Sequence, residues 1–100
     1  MNVQIQTVHF DADSKLIEHV NQKIEKLQTF HDKIISVEVY LILDNLAHQI
    51  KDKIAEIKVY VPGHSYFVKY SSKAFEESFS TAFNSMANQL KRRKSKLLAA

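Results

Sequence analysis

The sequence predicts an α+β two-layer sandwich of order β-α-β-β-β-α, a four-stranded sheet carrying both helices on one face. Three observations lead there. Apolar and polar residues alternate in four short segments, and apolar residues recur every three or four positions in two longer ones. The one proline and the one glycine stand together at Pro62-Gly63, between the third and fourth alternating segments, where they mark a turn. A sheet and two helices that are each apolar on one side need mutual cover. Laying both helices on one sheet face supplies it.

Residues 2–10 alternate Val3, Ile5, Thr7 and His9 with Asn2, Gln4 and Gln6, the pattern of a half-buried strand. Asp13 follows as an N-cap, its carboxylate able to accept from backbone N–H groups left unpaired at a helix start. Leu16, Val20, Ile24, Leu27 and Phe30 then form the apolar stripe of a first helix. Residues 34–43 set Ile35, Val37, Val39, Leu41 and Leu43 against Ser36, Glu38 and Tyr40, a strand rich in β-branched side chains. Residues 44–52 are polar enough to be a connection. Ala55, Ile57, Val59 and Val61, alternating with Glu56, Lys58 and Tyr60, predict a third strand, and residues 65–71 a fourth returning from the Pro-Gly turn.

Ser72 is placed to cap a long second helix, whose first turn carries Glu76 and Glu77 at the positive end of its dipole. Its stripe is Phe75, Phe79, Ala82, Phe83, Met86 and Leu90. If the first two strands are parallel neighbours, the helix between them makes a right-handed crossover. Ser36, Glu38, Tyr40, Glu56, Lys58 and Tyr60 would then form a sheet face polar enough to meet water.

One hundred residues suit a single domain, 1–100, with one core. The 45% apolar and 25% charged fractions are those of an ordinary globular protein. With no cysteine, a disulfide framework and a thiolate zinc site are both excluded, which fits a reducing cytoplasm. The N-terminus MNVQIQTVHF lacks the basic and apolar regions of a signal peptide. No apolar run approaches the ~20 residues that span a bilayer. The five histidines are scattered, and no H-E-x-x-H, phosphate-cradling loop or assembled triad appears. Catalytic residues, metal ligands, cofactor and small-molecule substrate are all expected to be none, so the chain reads as a binding protein and not an enzyme.

The net charge of +3 is unevenly distributed. Residues 1–90 carry nine Lys/Arg against eleven Asp/Glu, whereas residues 91–100 carry five basic groups and no acid. Those five fall within Lys91–Lys96, in the stretch QLKRRKSKL. At ~100° per residue, the apolar stripe of the second helix continues past Leu90 to Arg93 and Leu97. An arginine thus takes a core-facing position, flanked by Arg92 and Lys96 on one side and Lys91 and Lys94 on the other. A helix basic all round cannot be lying on a sheet there, so the basic end, 91–97, is expected to project. One or two cations would satisfy the helix dipole. Five repel one another unless a polyanion neutralises them.

The first helix adds Lys15, His19, Lys23 and Lys26 along one flank, with Glu18 and Glu25 further round. Flanking lysines also lay their stems along an apolar stripe with no further role. Nucleic acid fits the combined pattern, since lysine and arginine on phosphates release counterions and supply sequence-independent affinity. Tyr40, Tyr60, Tyr66 and Tyr70 lie on strands, where tyrosines more often serve structure than base stacking. No zinc-finger spacing, aromatic RNP motif or GXXG loop reads bases. A membrane surface is disfavoured because the basic end has no apolar face of its own.

Taken in order, VNQKIEKL at residues 20–27, the Val61-Pro62-Gly63 turn and QLKRRKSKL at 89–97 resemble the ribosome hibernation-promoting factors. That family includes the ribosome-associated inhibitor and is also called the sigma-54 modulation or S30EA family; the resemblance is to its short form. It implies a fold related to double-stranded-RNA-binding domains and a cytoplasmic partner, the small ribosomal subunit and its RNA. Binding in the channel shared by messenger and transfer RNA would silence translation in stress or stationary phase. Carried over by position, the RNA-binding residues are Lys23, Lys26, Lys91, Arg92, Arg93, Lys94 and Lys96. The chain departs from the family pattern at Thr7, where many members have Gly or Ser, and in KAFEESF at 73–79, where many have Asp-x-Tyr. The resemblance also implies a monomer off the ribosome, with ribosome pairing left to a separate partner. The alternative is a free-standing module for double-stranded RNA or other nucleic acid. A protein-interaction module using the polar sheet face is a third, weaker reading.

Overall fold

The computed structural model describes residues 1–44 and 53–99, those from 93 onward as helical backbone alone. The elements are β1 (Asn2–Val8), α1 (Ser14–Glu25), a 3-10 turn (Lys26–Thr29), β2 (Ser36–Leu43), β3 (Lys53–Val61), β4 (His64–Ser72) and α2 (Phe75–Ala99). The sheet order is β1-β2-β3-β4. β1 and β2 run parallel, with Val3 opposite Val37 and Ile5 opposite Val39, while β2–β3 and β3–β4 are antiparallel. The predicted connection 44–52 lies outside the described residues except for Asp44.

One buried cluster joins both helices to one face of the sheet: Leu16, Val20, Ile24 and Leu27 from α1 and its 3-10 turn, the whole predicted stripe of α2, and the inward residues of β2, β3 and β4. Complete burial of a side chain such as Ile24 stabilises by about 1.5–3 kcal/mol, so these two stripes fix which way each helix faces. Asp13 caps α1 as expected, its Oδ1 accepting from the Leu16 N–H at 2.8 Å. Gly63, at φ +74°, takes the left-handed position that a Pro-Gly turn requires and closes a two-residue hairpin between Val61 and His64.

Four boundaries differ from the sequence reading. β1 stops at Val8 because His9 adopts a left-handed φ of +68°, sending Phe10 off the sheet to stack on Phe75 at 4.4 Å. α1 stops at Glu25, and the chain tightens into the 3-10 turn, where Thr29 Oγ1 donates to the Lys26 carbonyl and the Phe30 N–H to that of Leu27. Phe30 therefore follows the turn and does not complete a helical stripe. β2 begins at Ser36, so the alternation does not extend back: Ile34 is buried and Ile35 is 57% exposed. Ser72 ends β4 and does not cap α2. Its hydroxyl lies 2.7 Å from that of Ser78, which donates at 2.6 Å to the Lys53 carbonyl.

Candidate nucleic-acid interface

Burial of the α1 stripe against the sheet turns Lys15, Lys23 and Lys26 away from the core. Lys15 is exposed in the first turn of α1, and Lys26 is exposed where the helix passes into the 3-10 turn. Between them His19 is half-buried, its ring edge-on to Phe79 at 6.0 Å. Lys23 is half-buried too, and its Nζ lies 5.8 Å from the centroid of Phe83, a residue of α2.

The second helix returns the contact. Leu90 is fully buried, and the next two residues, Lys91 and Arg92, are exposed. Lys91 Nζ stands 4.5 Å over the ring of Phe30, the residue that follows the 3-10 turn of α1. A lysine from α1 thus sits on a ring of α2, and a lysine from α2 sits on a ring at the end of α1. The two basic sets share one seam. Phe83 and Lys91 are eight residues apart on one helix, so the seam runs about 12 Å along α2.

The backbone of α2 carries Arg93, Lys94 and Lys96 onward to Ala99, about 13 Å beyond Leu90. Their side chains, and the expectation that the last turns leave the sandwich, lie outside the described residues. Of the seven predicted RNA-binding residues, Lys23, Lys26, Lys91 and Arg92 are therefore placed by side chain, and the other three by backbone. Phe30 and Phe83 emerged from the sequence reading only as apolar stripe residues, not as neighbours of the lysines. Their meeting with lysines depends on how α1 and α2 pack, and no local pattern encodes it.

The opposite face of the sheet has another character. Ser36, Glu38, Tyr40, Glu56, Lys58 and Tyr60 are half-buried there, as the alternation predicted. Glu38 stands opposite Lys58 and Glu56 opposite Lys69 in the strand register. The Tyr60 hydroxyl makes a long hydrogen bond of 3.4 Å to Glu38, and Lys58 Nζ lies 5.2 Å from the Tyr60 ring centroid. The Tyr60 hydroxyl first, and Glu38 more weakly, hold the Lys58 ammonium above the ordinary lysine pKa, against an opposing effect of desolvation. The strand tyrosines are divided between environments: Tyr40 and Tyr60 outside, Tyr66 buried in the core, Tyr70 exposed. Among the described residues, no helix is long and apolar enough to cross a membrane.

Comparison with known proteins finds no curated relative. Two solved structures share the fold over nearly all of this chain. A ribosomal subunit interface protein from Coxiella burnetii superposes with a TM-score of 0.82 at 20% identity, covering 95% of this chain and 99% of that one. The Protein Y N-terminal domain of Thermus thermophilus gives 0.78 at 22% identity, covering 92% and 98%. The model of one family, described as sigma 54 modulation protein / S30EA ribosomal protein, matches residues 3–98. That match, which spans the four-stranded sheet and both helices, places the chain in the sigma 54 modulation / S30EA family.

Proposed function

We propose that this protein is a ribosome hibernation factor. It binds the small ribosomal subunit near the messenger and transfer RNA channel and inhibits translation in stress or stationary phase. The whole chain acts as one ribosome-binding domain in the cytoplasm. Lys23, Lys26, Lys91, Arg92, Arg93, Lys94 and Lys96 contact ribosomal RNA phosphates, with the 91–97 end as its most basic part. It works as a binding protein without catalysis. The observation that supports this reading best is the seam, where cations from α1 and α2 stand together outside the core.

Recognition on this account is by backbone charge, so it depends on salt. With about five phosphates neutralised, log affinity should fall against log salt with a slope of roughly −4. The test is co-sedimentation of the purified chain with small subunits across a salt series, beside a variant with Lys91, Arg92, Arg93, Lys94 and Lys96 replaced by alanine. The variant should lose most of the binding and most of the slope. Binding unchanged by these replacements would remove the surface from consideration. Equal affinity for isolated RNA duplexes would favour a general double-stranded-RNA module instead.

A further inference from the structure

Both lysines that cross the seam are seated on aromatic rings: Lys91 over Phe30 at 4.5 Å and Lys23 over Phe83 at 5.8 Å. Both distances fall within the ~6 Å at which a ring quadrupole attracts an ammonium. The choice of seat has a consequence. A carboxylate would hold an ammonium in place as well, but it would cancel the charge and compete with phosphate for the same N–H donors. A ring holds the cation and leaves its full charge for an incoming anion. A free lysine side chain carries about 2 kcal/mol of rotamer entropy, part of which is lost when it docks on a ligand. A lysine already seated has lost part of it on folding.

The rings are themselves well held. Phe83 is buried in the stripe of α2 and lies beside Phe79, with centroids 6.2 Å apart. Phe30 is half-buried, packs against the core, and is fixed by backbone bonds from its own N–H and that of His31 to the Leu27 carbonyl, at 3.0 and 3.2 Å. The two seats are thus fixed by the core and the 3-10 turn, not by the lysines they hold.

We propose that Phe30 and Phe83 are positioning residues of the RNA-binding surface. Each holds one ammonium, Lys91 and Lys23 respectively, oriented but not neutralised, so that both cations meet phosphate already in place. This rests on the function proposed above, and the experiment separates the two. Phe83 is part of the core, so its replacement would disturb folding. Phe30 is the position to change.

In the full-length chain, Phe30→Leu keeps an apolar side chain without a π face, Phe30→Tyr keeps the π face, and Lys91→Ala removes the cation. NMR of the free protein reads the Lys91 ε-methylene protons, which a ring beneath them shifts upfield. A salt series with isolated small subunits reads affinity and slope. Phe30→Leu should abolish the upfield shift and weaken binding about two- to five-fold at fixed salt, with the slope unchanged because Lys91 still reaches a phosphate. Phe30→Tyr should restore both readings. Lys91→Ala should reduce the slope by about 1. A missing upfield shift in the unsubstituted protein overturns the seating. Unchanged affinity in Phe30→Leu, or a slope that falls along with affinity, overturns the positioning role, the second by showing that the helix end itself was disturbed. Failure of the unsubstituted chain to bind subunits overturns the functional reading, whereas the ring shift is decided independently in the free protein.

Discussion

The helix side and the outer sheet side of this small domain both present lysines, and they treat them differently. On the sheet, Lys58 stands opposite Glu38 and Lys69 opposite Glu56. Across strands, paired positions place Cβ atoms about 4.5–5.5 Å apart, so each of these lysines stands across from a carboxylate of the same surface and the four charges balance. Lys58 also lies over a ring, that of Tyr60 at 5.2 Å, but with Glu38 opposite it; on the helices, Lys23 and Lys91 rest on phenylalanine rings, while Lys15, Lys26 and Arg92 are exposed. Their charge is left available. A simple count of lysines would not separate these faces. The partner of each lysine does, and it is the helix side that fits the polyanion binding proposed above.

The sharpest way to break that comparison is to remove two lysines from each side. Lys23→Ala with Lys91→Ala should lower the magnitude of the salt slope for subunit binding by about 1.8, roughly sixty-fold in affinity between 1 M and 0.1 M salt. Lys58→Ala with Lys69→Ala removes the same formal charge and should leave the slope where it was. Equal losses from the two double variants would mean that overall charge, not the seam, governs binding.

The next largest effect concerns the link between the two sides. Ser78 is almost completely buried in α2, yet its hydroxyl donates to the Lys53 carbonyl of β3 and meets the Ser72 hydroxyl of β4. Ser78→Ala deprives buried polar groups of a partner and should cost about 1–3 kcal/mol of stability, read as a lower denaturant midpoint. Subunit affinity of the folded fraction should stay unchanged. A variant as stable as the parent would show that the hydroxyl is replaceable by apolar packing.

Ser78 also illustrates what was legible in the sequence. Periodicity placed the Phe75–Leu90 stripe and the inward positions of β3 because spacing along one element is a local property. It passed over Ser78, whose burial is justified only by two strands distant in sequence. The same distinction explains the strand ends. Ile34 and Ile35 are equally apolar, and the pairing of Ile35 N–H with the Tyr60 carbonyl decides which of them faces out. At the site, charge clustering singled out the cations, of which Lys26, Lys91 and Arg92 are exposed. It could not identify Phe30 and Phe83 as their seats, since helix spacing placed both rings in core stripes, and only the packing of α1 on α2 brings lysines to them.

The smallest expected effect tests the sheet side of the comparison. Lys58 is held above the ordinary value of 10.5 by the Tyr60 hydroxyl first and by Glu38 after it. Because the folded protein binds this proton more tightly than the unfolded chain, the associated stability is fully present below pH 10.5. It is lost as pH rises through the folded value. An NMR titration of the Lys58 ε-carbon should therefore give a midpoint above 10.5. Tyr60→Phe should remove most of the shift, and Glu38→Gln a smaller part, in the order of the two causes. A midpoint at the ordinary value, or a larger loss in Glu38→Gln than in Tyr60→Phe, would mean that the cluster does not engage Lys58 as its geometry indicates. The sheet lysine would then be as free as those on the helices, and the contrast would rest on the seam alone.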